Sequence, residues 1–106
     1  MTMSVRHLRE QIDVIDAQLL DLLSRRAKVS LELGRQKREA GLGLRDAGRE
    51  EQILSRAREL NPGPLDPAAV ERLFRAILAE SRRLQSGVAQ PRRTPKLCGP
   101  ERLQCA

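Results

Sequence analysis

The sequence predicts an all-α fold of three helices per chain, with a long N-terminal helix that needs a second copy beside it. Three observations lead there. Leu, Ala, Arg, Glu and Gln, all good helix formers, dominate the chain. Strands favour aromatic and β-branched residues, yet Phe74 is the single aromatic. Apolar residues recur at helical steps between breaks rich in Gly and Pro. At 106 residues the chain fits one domain at most.

The first helix is predicted from Val5 to about Arg38. Its apolar seam is Leu8, Ile12, Ile15, Leu19, Leu22, Val29 and Leu33, with steps of 4, 3, 4, 3, then 7, then 4. Gly34 sits inside it, at a cost of about 1 kcal/mol that a helix this long tolerates. Such a helix measures roughly 45–50 Å at 1.5 Å per residue. A compact domain of this size has a radius of gyration near 13 Å. The chain cannot wrap that rod by itself, so the seam implies an oligomer, most simply a two-fold dimer.

Gly41 and Gly43 give a turn, and the helix boundary within Glu39–Leu44 stays open. Asp46 is a good N-cap for a second helix through Ile53, Leu54, Ala57 and Leu60. Asn61-Pro62-Gly63-Pro64 ends it. Asp66-Pro67 then reads as an N-cap followed by proline at the first helical position. The third helix carries Val70, Leu73, Phe74, Ile77, Leu78 and Leu84. Beyond Ser86, five Gly and Pro residues fall within twenty positions with almost no apolar pattern. The organisation is therefore a helical domain over 1–86 and a disordered basic tail over 87–106.

The formal net charge is +6 and the isoelectric point about 10.6. Half of that excess lies in the tail, where Arg92, Arg93, Lys96 and Arg102 face only Glu101. The domain is thus mildly basic, which suits an acidic small molecule as well as a phosphate backbone. A nucleic-acid partner is disfavoured by the lack of aromatic residues for stacking. No apolar run is long enough for a signal peptide or a membrane span. Cys98 and Cys105 have no nearby His, so they predict no metal site. Free thiols fit a reducing cytoplasm. His7, near the N-terminus, reads as a surface residue.

Function is written in the polar residues that interrupt apolar stripes. The heptad step after Leu22 lands on Arg26, and the step after Leu33 reaches Lys37. Eleven residues is about three turns, so both cations point the same way. On the third helix, Val70, Phe74 and Ile77 lead on to Ser81 and Gln85. On the second, Asp46, Arg49 and Glu50 precede Ile53 and Ala57 on one face. A buried charge needs a partner. If the three stretches meet, they form a pocket for a small dianion bearing a hydroxyl group. The plain alternative is a set of interhelical salt bridges, such as Arg26 with Glu50. Arg25, Lys28 and Arg38 lie off the seam and read as surface charge.

These residues carry a resemblance. LREQIDVIDAQLLDLLSRR, then GRQK, RDAGRE and RLFRAILAESRRLQ, together resemble the all-α chorismate mutases of the AroQ class, over Leu8 to Gln85. The resemblance implies an intertwined helical homodimer that rearranges chorismate to prephenate without cofactor or metal. It implies that Arg9 crosses into the partner's site. It implies that Arg26 binds a substrate carboxylate and that Lys37 contacts the ether oxygen and a carboxylate. Asp46, Arg49 and Glu50 match a trio whose glutamate takes the ring hydroxyl. Ser81 matches a carboxylate ligand, and Gln85 a donor to the ether oxygen. Arg9 and Arg26 are seventeen residues apart, about 25 Å along one helix. If both bind substrate, Arg9 comes from another subunit. The nearest rival on this fold is an isochorismate pyruvate-lyase, which the Arg49-Glu50 pair disfavours. The rival from another class is a basic helical binding module.

Overall fold

The computed structural model describes residues 3–43 and 45–87. All but Gly87 of the segment read as a tail lies outside the described residues, as do both cysteines. Three helices make up the regular structure: α1 (Val5–Ala40), α2 (Ala47–Leu60) and α3 (Pro67–Ser86).

Each helix begins at a side chain that answers its free N–H groups. Ser4 Oγ accepts from His7 N at 3.1 Å. Asp46 Oδ1 accepts from Arg49 N at 2.9 Å, and Asp66 Oδ1 from Ala69 N at 2.8 Å. α1 runs two residues past Arg38 and ends at Gly41, whose φ of 72° is left-handed. Gly41 N–H donates to Arg38 O and Leu42 N–H to Lys37 O, the paired bonds of a Schellman turn. This settles the open boundary: Gly41, not Gly43, takes the left-handed position. Between α2 and α3 the Asn61 side chain bonds both Gly63 N and Leu65 O, which closes the loop on itself.

α1 packs against α3, and α2 packs against α3, but α1 and α2 do not pack on each other. α3 is therefore the middle layer, and a cleft remains between its two neighbours. The buried apolar core is small: Leu54, Val70 and Leu78. From α1 only Ser30 and Gly34 are buried. The seam expected to be covered lies bare in the single chain: Leu8, Ile12, Ile15, Leu19, Leu22, Val29 and Leu33 are each 45–68% exposed. The cause is geometric. Every described residue before Arg26 is exposed and burial on α1 begins at Arg26, while the molecule extends 58 Å with a radius of gyration of 17.2 Å. No helix among the described residues is long and apolar enough to cross a membrane.

Candidate active site

The cleft between α1 and α2, floored by α3, holds a cavity of about 270 Å³. α1 contributes Arg26, Ser30, Leu33 and Lys37, all from its C-terminal half. α2 contributes Glu50 and Ile53, with Arg49 and the capping Asp46 at its N-terminus. α3 contributes Leu78, Ser81, Arg82 and Gln85. Seven of the eight residues singled out in the sequence thus line one space. The eighth, Arg9, stands far up α1 on its exposed N-terminal half and does not reach it.

The polar groups bond to one another across the helices. Arg26 Nη1 donates to Ser81 Oγ at 2.5 Å, and Ser30 Oγ donates to the same oxygen at 3.3 Å. Ser30 and Ser81 are buried, and Arg26 is half-buried. Lys37 Nζ donates to Gln85 Oε1 at 3.2 Å. A lysine ammonium can only donate, so it must meet the amide oxygen. The Gln85 NH₂ is then the end available to donate elsewhere. The Gln85 backbone carbonyl accepts from Arg38 Nη1 at 2.6 Å.

Glu50 is the best-buried carboxylate of the cavity, with a side chain 16% exposed. Its Oε2 accepts from Arg82 Nη1 at 2.7 Å, and its Oε1 lies 3.3 Å from Arg45 Nη2. The salt bridge weighed as the plain alternative, Arg26 with Glu50, is therefore not formed: Arg26 turns to Ser81, and Arg82 takes the glutamate. Asp46 keeps one oxygen on its own helix terminus, and Arg49 Nη1 meets Gln52 at 3.3 Å. Four cations (Arg26, Lys37, Arg49 and Arg82) face two carboxylates around the cavity. That excess of two positive charges fits a dianion.

Three residues of this arrangement escaped the sequence reading. Arg82 lies within the polar run Ser81-Arg82-Arg83, which hides which arginine turns inward. Its position three residues before Gln85 is the one available sign. Ser30 follows Arg26 by four residues and shares its face. Arg38, read as surface charge, is exposed yet holds the last turn of α3. The largest charge perturbation lies away from the cavity, on the exposed face of α1. There the Arg35 hydrogen bond, and after it that of Gln36, hold the Glu32 carboxyl down at about 2.

Comparisons with known proteins place the chain in one family. The model of the chorismate mutase type II family matches residues 8–86. The bifunctional chorismate mutase/prephenate dehydratase of Stutzerimonas stutzeri is 37% identical over 102 residues, covering 92% of this chain and 27% of that protein. The protein of the same description from Pseudomonas aeruginosa is 37% identical over 103 residues, with the same coverage. The chain thus spans about a quarter of the length of these relatives. Among solved structures, form II of chorismate mutase from Thermus thermophilus superposes with a TM-score of 0.77 at 34% identity. The match covers 81% of this chain and 98% of that one. With the family model matched over all three helices and their shared cavity, the chain belongs to the chorismate mutase type II family.

Proposed function

We propose that the chain is a chorismate mutase that converts chorismate to prephenate by a [3,3] rearrangement. The observation that carries this is the convergence on one cavity of four polar residues that break apolar helical stripes, Arg26, Lys37, Ser81 and Gln85, with the Asp46, Arg49 and Glu50 trio at the start of α2. The reaction is unimolecular. It breaks one C–O bond as it forms one C–C bond, and it requires no nucleophile, proton transfer, metal or cofactor.

Two effects then supply the rate. Arg26, with Ser81 beneath it, grips a carboxylate of the substrate and helps hold the folded, reactive conformer. Lys37 and the Gln85 NH₂ donate to the ether oxygen, on which negative charge grows as its bond breaks. A preorganised donor of this kind is worth about 3–4 kcal/mol. Glu50 accepts from the ring hydroxyl. A carboxylate has about four lone-pair sites, so two arginine contacts leave room for one more donor. Arg49 and Asp46 complete the rim on the α2 side. A carboxylate at position 50 is also what favours the mutase over the lyase that acts on isochorismate.

The active unit in this reading is an intertwined cytoplasmic homodimer. Its support is the bare seam of α1 and the long separation of Arg9 from the cavity. Arg9 from a second copy then closes the site its own chain leaves open. Chorismate and prephenate are the only ligands required, with no nucleic acid or membrane.

Incubation of the purified protein with chorismate, followed by chromatography of the products, tests the assignment. Prephenate formed in proportion to enzyme is expected. Salicylate formed from isochorismate, with chorismate untouched, would make the protein the lyase. A folded protein that consumes neither substrate would remove the catalytic reading.

A further inference from the structure

Gln85 is held to α1 by more than the lysine that faces it. Gly34 lies against its backbone. A Cβ at position 34 would stand 2.7 Å from Gln85 Cα and 3.0 Å from both its Cβ and its O. Real Cβ atoms do not come that close, so no other residue fits there unless α3 withdraws by roughly 0.7 Å to reach ordinary contact. One turn further along, Lys37 reaches the amide oxygen at 3.2 Å. Beside it, Arg38 takes the backbone carbonyl at 2.6 Å. That carbonyl belongs to the last turn of α3, where carbonyls lack intrahelical partners and a guanidinium is favoured.

We propose that Gly34 and Arg38 are positioning residues that fix Gln85 against Lys37 and so set the geometry of the donor pair. The proposal rests on the reading of Lys37 and Gln85 as donors to the ether oxygen. Gly34 sets how closely the two helices approach. Arg38 stops the end of α3 from fraying away. Neither residue touches the substrate. A displacement near 1 Å in a reacting assembly costs up to about a hundredfold in rate. The loss therefore falls on kcat more than on KM, because Arg26 and Ser81, which grip a carboxylate, lie a turn or more away on both helices.

The test measures kcat and KM on chorismate for Gly34→Ala, Arg38→Met and Gln85→Ala, and for each of the first two combined with Gln85→Ala. Rates are normalised to folded protein by circular dichroism. Gly34→Ala is expected to lower kcat at least about tenfold and Arg38→Met about fivefold, each with KM within about threefold. In the Gln85→Ala background neither lowers kcat by more than about twofold further, since the Gln85 amide is no longer there to be misplaced against Lys37. A purely structural role gives the opposite: a lower melting temperature with normal kcat for the folded fraction, or additive losses in the double variants. Either result overturns the proposal. If Gly34→Ala does not fold, Arg38→Met, which alters an exposed side chain, decides by itself. Should Gln85→Ala keep the full rate, the donor reading of Gln85 fails and the positioning role falls with it. A slow Gln85→Ala beside normal Gly34→Ala and Arg38→Met sinks only the positioning role.

Discussion

Ser81 does the most with the fewest atoms. Its single hydroxyl accepts from Arg26 on one side and from the buried Ser30 on the other. It gives a half-buried guanidinium a fixed direction, which a long flexible side chain does not hold unaided. Replacing it by alanine leaves two donors without this acceptor, at about 1–3 kcal/mol. Ser81→Ala is therefore expected to unfold at lower urea concentration. KM for chorismate is also expected to rise more than kcat falls, because Arg26 is released. An unchanged KM would separate Ser81 from Arg26's role. At this scale the site was legible wherever a polar residue broke an apolar period. Arg26, Lys37, Ser81 and Gln85 each do so. It was not legible where the sequence is polar throughout. Within Ser81-Arg82-Arg83 only the three-residue step from Arg82 to Gln85 hints that Arg82 turns inward to Glu50, while Arg83, 64% exposed, pairs with Glu80 at 3.3 Å.

The helices themselves were mostly legible, because their ends are chemically marked. Asp46 and Asp66-Pro67 start α2 and α3, and both aspartates cap as the sequence predicts. Gly87 closes α3 in a left-handed turn. Gly34 is the exception. In one dimension it is a weak point in a helix. In three it is the contact that lets α1 meet α3, and no local pattern encodes a neighbour two helices further along the chain. Asp46 shows how an element and a site share one residue, since it caps α2 and lines the cavity. Asparagine caps as well as aspartate but carries no charge. Asp46→Ala should cost about 1 kcal/mol of stability and Asp46→Asn almost none. If the carboxylate also takes part in substrate binding, KM rises in both. A normal KM in Asp46→Asn would reduce Asp46 to a cap.

The whole molecule is an open shape with its longest helix half uncovered. That much followed from comparing helix length with the size of a compact domain, and the bare seam agrees. Which residues meet across a second copy is not legible in one chain, because the covering surface is the same sequence used twice. A site completed by a second subunit makes a specific demand. Arg9→Ala and Arg26→Ala, each inactive alone, should regain some activity when unfolded together and refolded. A mixed dimer then has one site with both arginines intact. Activity no higher than in either parent would count against a site shared between subunits.

In the proposed mechanism this cavity carries out the rearrangement, with Lys37 as its principal donor to the ether oxygen. The deciding measurement is the rate of prephenate formation from chorismate by the unaltered protein and by Lys37→Ala, each checked for folding and subunit size. Steady turnover is expected of the first, and a kcat lower by about a hundredfold or more of the second, with folding and assembly intact. Equal rates would remove Lys37 from the mechanism. No turnover by the folded, unaltered protein would contradict the assignment itself.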